Sequence, residues 1–171
     1  KFIKRKNYLK KDNANGNHLL NYHSKIIRSD IYFQLFVTAP LLSIKTINKF
    51  IDLLKKSKSY DSILTANKVY TWFWFKNKPV NYNPNLLPRS QDAKPIIMET
   101  TGLYGIKVKA LKKKKCRIGY KPYFYFVKKD ESIDLDTKED FIVGYIGTFL
   151  KEKGIENFYN LARIFSQKKY S

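Results

Sequence analysis

Three observations predict an α/β fold with a mostly parallel sheet for this 171-residue chain. Asp30–Val37 (DIYFQLFV) is a nearly unbroken run of β-branched and aromatic residues, as a buried parallel strand requires. From Ser43 onward, Ile44, Ile47, Phe50, Ile51 and Leu54 recur on one face of a helix. Tyr60–Ala66 (YDSILTA) is a second strand, and it completes a right-handed βαβ crossover. The length suits one domain with its own core and is short for two, so residues 1–171 are expected to form a single unit.

The remaining elements follow in order. Lys1–Lys11 is basic, with Phe2, Ile3, Tyr8 and Leu9 interspersed, and Asp12–Asn17 (DNANGN) is turn chemistry. His18–Ile27 has the spacing of a short helix. Gln34 is the polar exception inside the first strand, and its amide needs a partner there. Val69–Phe75 (VYTWFWF) reads as an antiparallel hairpin partner or an interface strand. Asn77–Lys94, with Pro79, Pro84 and Pro88, is a long loop of the kind that more often carries function. Glu99–Ile106 (ETTGLYGI) is a strand whose Gly102 allows close backbone approach. Lys112–Lys115 is a solvated basic face, and Tyr123–Val127 is strand-like. Phe141–Leu150 is an expected helix ended by Gly154, and Asn157–Phe165 an expected closing helix.

The net charge is +20, but only five of the 34 basic residues are Arg. Specific readers of bases and phosphates lean on the Arg fork, so this Lys-rich mix reads as AT-rich coding rather than a specific nucleic-acid site. It would still attract polyanions without specificity. The single cysteine, Cys116, excludes an internal disulfide and a cysteine zinc site, and it suits a reducing cytoplasm. No apolar run approaches the roughly 18 residues of a membrane helix. Neither His18 nor His23 has a partner at metal-ligand spacing. The only Met is Met98, and the chain opens on Lys1, so the chain is expected to be either processed or missing an upstream stretch.

The chemistry concentrates in Ser132–Phe141, SIDLDTKEDF. If the preceding strand continues, Asp134 and Asp136 point to one face. Mg²⁺ is usually held by one or two carboxylates, with phosphate oxygens and water completing its shell. The structural alternative is that both are loop acids, Asp136 or Thr137 capping the next helix.

Five segments in order resemble the acylneuraminate (CMP-sialic acid) cytidylyltransferases. RKNYLKKD (Arg5–Asp12) is similar to their RPxxLAxD segment and QLFVTAPLLS (Gln34–Ser43) to LQPTSPLR. PRSQD (Pro88–Asp92) resembles R-[ST]-Q-D, ETTGLYGI resembles ENGAIYI, and SIDLDTKEDF resembles DIDTPEDF. The resemblance implies a Rossmann-like three-layer enzyme that couples CTP to a nonulosonic sugar acid and releases pyrophosphate. It implies that Asp134 and Asp136 hold Mg²⁺ and that Arg5 helps hold the nucleotide. Gln34 and Arg89 match sugar-binding positions, with Gln91 beside them and Lys68 as a further sugar contact. It also implies a homodimer, formed through residues 69–98. The family's basic, Gly-containing loop for the triphosphate has no counterpart here, so the fold is expected to be N-terminally incomplete. Lys6 replaces Pro, Ala39 replaces Ser, and Thr100-Thr101 stands where the family has Asn before Gly. Two further readings stay open, a folded but inactive relative and a basic domain that binds nucleic acid or another polyanion.

Overall fold

The computed structural model describes residues 3–86 and 88–136. The expected helices Phe141–Leu150 and Asn157–Phe165, and the expected cap Thr137, lie outside them. After a 3-10 turn at Asn7–Lys10 come α1 (Gly16–Ile26), β1 (Ile31–Leu35), α2 (Ile44–Lys56) and β2 (Ser62–Val69). A small hairpin, β3 (Trp74–Phe75) and β4 (Lys78–Pro79), leads through a 3-10 turn at Ser90–Asp92 to β5 (Ile96–Lys107). Then follow α3 (Val108–Lys114), β6 (Pro122–Phe126) and a last 3-10 turn at Asp130–Ser132.

The main sheet has the order β1-β5-β2-β6. β5 runs antiparallel to both β1 and β2, whereas β2 and β6 are parallel. β1, β2 and β6 therefore point the same way and β5 alone opposes them. The β1-α2-β2 crossover joins two strands of one direction, but β5 lies between them. The strand at Asp30–Val37 is accordingly corrected from buried and parallel to half-buried and antiparallel. Among the described residues its one partner is β5, and Leu35 at its end is exposed.

Parity along β5 sorts the core into two faces, since neighbouring side chains point oppositely. Leu103 packs with Ala39, Leu42, Phe50, Leu54 and Ile63, the side covered by α2. Ile106 packs with Leu20, Ala110 and Leu111, the side covered by α1 and α3. Helices on both faces make three layers, as expected. Burial of Phe50 and Leu54, both 0% exposed, is worth about 1.5–3 kcal/mol each.

The helices form where their caps and stripes dictate. In α1 the Asn15 side chain accepts from the Asn17 and His18 amides, at 3.0 and 3.2 Å, while His18 Nδ1 accepts from the Asn15 amide at 3.2 Å. In α2 the Ser43 hydroxyl oxygen accepts from the Thr46 amide at 3.1 Å, and Thr46, Phe50 and Leu54 are the buried stripe. Ile44 is corrected from core to exposed. At 3.6 residues per turn it stands about 120° around the helix from the centre of that stripe. The core needs glycine at Gly105, where a Cβ would come within 2.7 Å of Phe33, 2.8 Å of Leu54 and 2.9 Å of Ile63.

Candidate functional site

Open α/β sheets bind ligands outside the carboxyl ends of their parallel strands. Here that end is built by the turn after β1, the first half of β5 and the loop after β6. Opposite Leu64 the β2–β5 ladder pairs Tyr104, yet opposite Ala66 it pairs Glu99. Thr100–Leu103 therefore face Thr65 alone, and β5 bulges. Thr65 Oγ1 holds the bulge by accepting from the Leu103 amide at 3.1 Å. The Phe36 amide donates to Gly102 O at 3.0 Å, drawing the turn after β1 onto it. A Cβ on Gly102 would lie 2.9 Å from Leu42 and 3.1 Å from Ala39, so this close approach needs glycine. Bulges of this kind re-aim side chains next to active sites.

What the bulge aims is Thr101, in the left-handed region at φ 53°, where a β-branched residue is strained. Its hydroxyl donates to Asp134 Oδ2. The Leu135 amide donates to Thr38 O at 2.7 Å, so Asp134 is seated between the turn after β1 and the β5 bulge. Its other oxygen, Oδ1, is buried without a hydrogen-bond partner, as is Thr100 Oγ1. β6 ends at Phe126, so Asp134 and Asp136 lie on a loop and not on a continued strand. Asp136 is exposed.

Asp134 Oδ1 is a carboxylate oxygen with no hydrogen-bond partner, a donor that suits a hard cation. Among the described residues no group of three or more His, Cys, Asp or Glu could hold a metal. One or two carboxylates with substrate phosphates is the arrangement that fits Mg²⁺.

Beside this carboxylate lies a network that sequence reasoning missed. Arg117 stacks 3.7 Å over the Tyr104 ring and 5.4 Å from that of Phe36. It donates to Tyr104 Oη at 2.9 Å and pairs with Glu99 at 3.2 Å, and Tyr104 donates to Glu99. Burial raises the Tyr104 pKa, the Glu99 bond raises it further and Arg117 opposes both, with the net shift upward. Tyr104 is thus a phenol and a donor at neutral pH. Gln34 stands opposite Tyr104 in the ladder; its amide nitrogen donates to Gly16 O at 3.2 Å, and its Oε1 is buried and unpartnered. A Cβ on Gly16 would lie 3.0 Å from Arg117 Nη1 and 3.4 Å from both Gln34 amide atoms. Gln34, Tyr104, Arg117 and Gly16 therefore share one packed corner. The available signal was Arg117 as a rare Arg separated by one residue from the run Lys112–Lys115.

The other expected site residues stand apart from this corner. Arg5 is exposed ahead of the first 3-10 turn. Arg89 and Gln91 are on the exposed loop, where Arg89 pairs with Asp92 at 2.7 Å. Lys68 is at the end of β2 with its ammonium 4.8 Å over the Phe126 ring. It lines a groove of about 630 Å³ with Asn67, Met98, Phe126, Lys129 and Ser132. Among the described residues no hydrogen bond or ion pair joins Arg5, Arg89, Gln91 or Lys68 to Asp134.

No family model matches the chain. Over 122 residues it is 26% identical to N-acylneuraminate cytidylyltransferase A of Danio rerio, which covers 67% of this chain and 28% of the relative. The chain thus spans little more than a quarter of that protein. In fold it is similar to CMP:2-keto-3-deoxy-manno-octonic acid synthetase complexed with CTP, at a TM-score of 0.50 and 11% identity. That match covers 80% of this chain and 69% of the other. The likeness to the first protein is thus one of sequence over part of its length, and the likeness to the second is one of fold.

Proposed function

We propose that the chain is part of an enzyme coupling CTP to a nonulosonic sugar acid. The anomeric hydroxyl oxygen of the sugar bonds to the α-phosphorus of CTP, and the bond to the β-phosphate oxygen breaks. Pyrophosphate leaves, and the hydroxyl proton passes to solvent. Such transfer needs alignment and charge neutralisation more than covalent help from the protein.

The observation that carries this reading is Asp134, clamped through one oxygen by Thr101 while the other is buried and free. Asp134 and Asp136 would hold Mg²⁺, which neutralises charge on the reacting phosphate when bound. Gln34 and Arg89 would bind the sugar acid, Arg89 by two parallel bonds to its carboxylate. Gln91 and Lys68 would add sugar contacts, and Arg5 would contact the nucleotide. A homodimer formed through residues 69–98, working in the cytoplasm, completes the proposal. Among the described residues no helix is long and apolar enough to cross a membrane.

The test is pyrophosphate release from CTP and a nonulosonic acid by the full-length protein, with and without Mg²⁺. Asp134→Asn is expected to lower the rate at least about 100-fold, as loss of a group that stabilises transferring charge does. A rate indifferent to Mg²⁺ or to this substitution sinks the reading.

A further inference from the structure

The geometry points to Glu131 as the positioning residue that holds Asp134 in place, by completing the cap of α2 from a distant part of the sequence. This inference rests on the reading of Asp134 as a metal ligand.

A capping box has Ser or Thr at the N-cap and Glu or Gln three residues later, whose side chain returns to the N-cap amide. In α2 the N-cap is Ser43, but the third residue on is Thr46, too short to reach back. The first turn holds no acidic residue at all. Glu131, 85 residues further along the chain from Thr46, fills the gap. Its Oε1 accepts from the Ser43 amide at 3.1 Å, and its two oxygens accept from the Thr46 hydroxyl at 2.7 and 3.0 Å. Only 8% of the residue is exposed. A buried carboxylate keeps its charge only where donors meet it, and here the amide end of a helix and a hydroxyl do.

The consequence reaches Asp134. Glu131 belongs to the 3-10 turn Asp130–Ser132, three residues before Asp134. The loop is tied at Glu131 to Ser43 and Thr46, and again at Leu135 to Thr38. Both ties end between β1 and the first turn of α2, and Asp134 sits between them. The negative charge that stabilises the start of α2 therefore also fixes where Asp134 stands against Thr101. A local Glu at position 46 would cap the helix equally well and leave the loop free.

Glu131→Gln in the 171-residue chain separates a positioning role from a mere cap. Amide hydrogen exchange reads both ends: Thr46 and Ile47 report the first turn of α2, and Leu135 reports the seating of Asp134. A positioning role is expected to speed exchange at Leu135 by about tenfold or more, as local opening energies allow. A cap alone would speed Thr46 and Ile47 and leave Leu135 unchanged, and that result overturns the inference. Mn²⁺ binding, followed by electron paramagnetic resonance, is expected to weaken about tenfold, the effect typical of outer-shell supports. Equal Mn²⁺ binding by both proteins also overturns it. Wild-type chain that binds no Mn²⁺ overturns the metal reading, and the Leu135 amide then still decides the role of Glu131. If Glu131→Gln does not fold, Thr46→Val, which keeps the carboxylate and removes one donor, carries the same readouts with a smaller expected change.

Discussion

Thr101 donates its hydroxyl to Asp134 from a backbone at φ 53°, so an acidic loop is held by a strained residue in a strand bulge. The strain and the hydroxyl are separable. Thr101→Gly removes both, relieving a conformation that costs a non-glycine residue about 1–3 kcal/mol. Thr101→Val keeps the strain and strips the donor, which costs about 1–3 kcal/mol where a buried acceptor is left alone. Urea unfolding is expected to rank Val as the less stable by at least about 1 kcal/mol, with Gly close to wild type. Both variants are expected to lose activity in the full-length enzyme. Equal stability of the two would refute this division.

At Gly105 the core face of β5 touches the side chains of three other elements. Even a methyl group there meets Phe33, Leu54 and Ile63 at 2.7–2.9 Å. Overpacking of this kind costs about 1–3 kcal/mol, so Gly105→Ala is expected to lower the urea midpoint by that equivalent. A neutral result would mean that α2 can shift on the sheet.

Those two predictions mark where the sequence was legible and where it was not. The strand at β1 and the helix α2 were readable because their signals are local: a β-branched and aromatic run, a Ser cap and a 3.6-residue stripe. Placement of β5 between β1 and β2 was not, because strand order is settled by long-range pairing that leaves no local mark. The bulge was hidden for another reason. Thr100-Thr101 reads as good strand, and the glycine that normally announces a left-handed residue is absent at position 101. The D-x-D pair did flag Asp134, but Thr101, which holds it, is 33 residues away in sequence. Arg117 was concealed beside a lysine run that AT-rich coding explains.

Arg117 offers the third prediction. The exposed share of Glu99 keeps the ion pair itself modest, below about 1 kcal/mol. Stacking on Tyr104 adds up to about 2 kcal/mol when the cation is desolvated. Arg117→Lys keeps the charge but loses the planar stack, and is expected to cost more than Glu99→Gln in urea unfolding. The reverse order would make the ion pair the dominant contact. In the full-length enzyme Arg117→Lys is also expected to raise the KM for the sugar acid more than that for CTP, because Arg117 shares its corner with Gln34.

Glu131 sets a pH dependence. Burial alone would raise its pKa from 4.5, but the bonds from Ser43 and Thr46 outweigh burial and bring it lower. A carboxylate whose folded pKa is depressed adds stability above its unfolded value and loses it as pH falls through the folded one. Wild type is therefore expected to exceed Glu131→Gln by about 1–3 kcal/mol at neutral pH. That difference should shrink once the pH drops below about 4.5. A constant difference between about pH 3 and pH 7 would show that the charge of Glu131 is not what Ser43 and Thr46 recognise.

The β3–β4 hairpin displays Trp74 and Phe75, 58% and 66% exposed, while Tyr82 stacks 5.4 Å from Trp72 and meets Trp74 edge-on at 6.2 Å. Large aromatic rings held by one another and left in water fit the centre of an interface, where Trp is among the residues that dominate binding energy. If residues 69–98 form the proposed dimer, Trp74→Ala should cost at least about 2 kcal/mol of association, roughly 30-fold in Kd. Light scattering across a dilution series is then expected to show a dimer in the wild-type protein and dissociation of the variant at correspondingly higher concentration. The hairpin fold itself should survive, because Asn81 ties it to its surroundings, accepting from the Phe73 amide and donating to Thr71 O and Lys94 O at 2.7–2.9 Å. Identical masses for both proteins at every concentration would remove residues 69–98 from the interface.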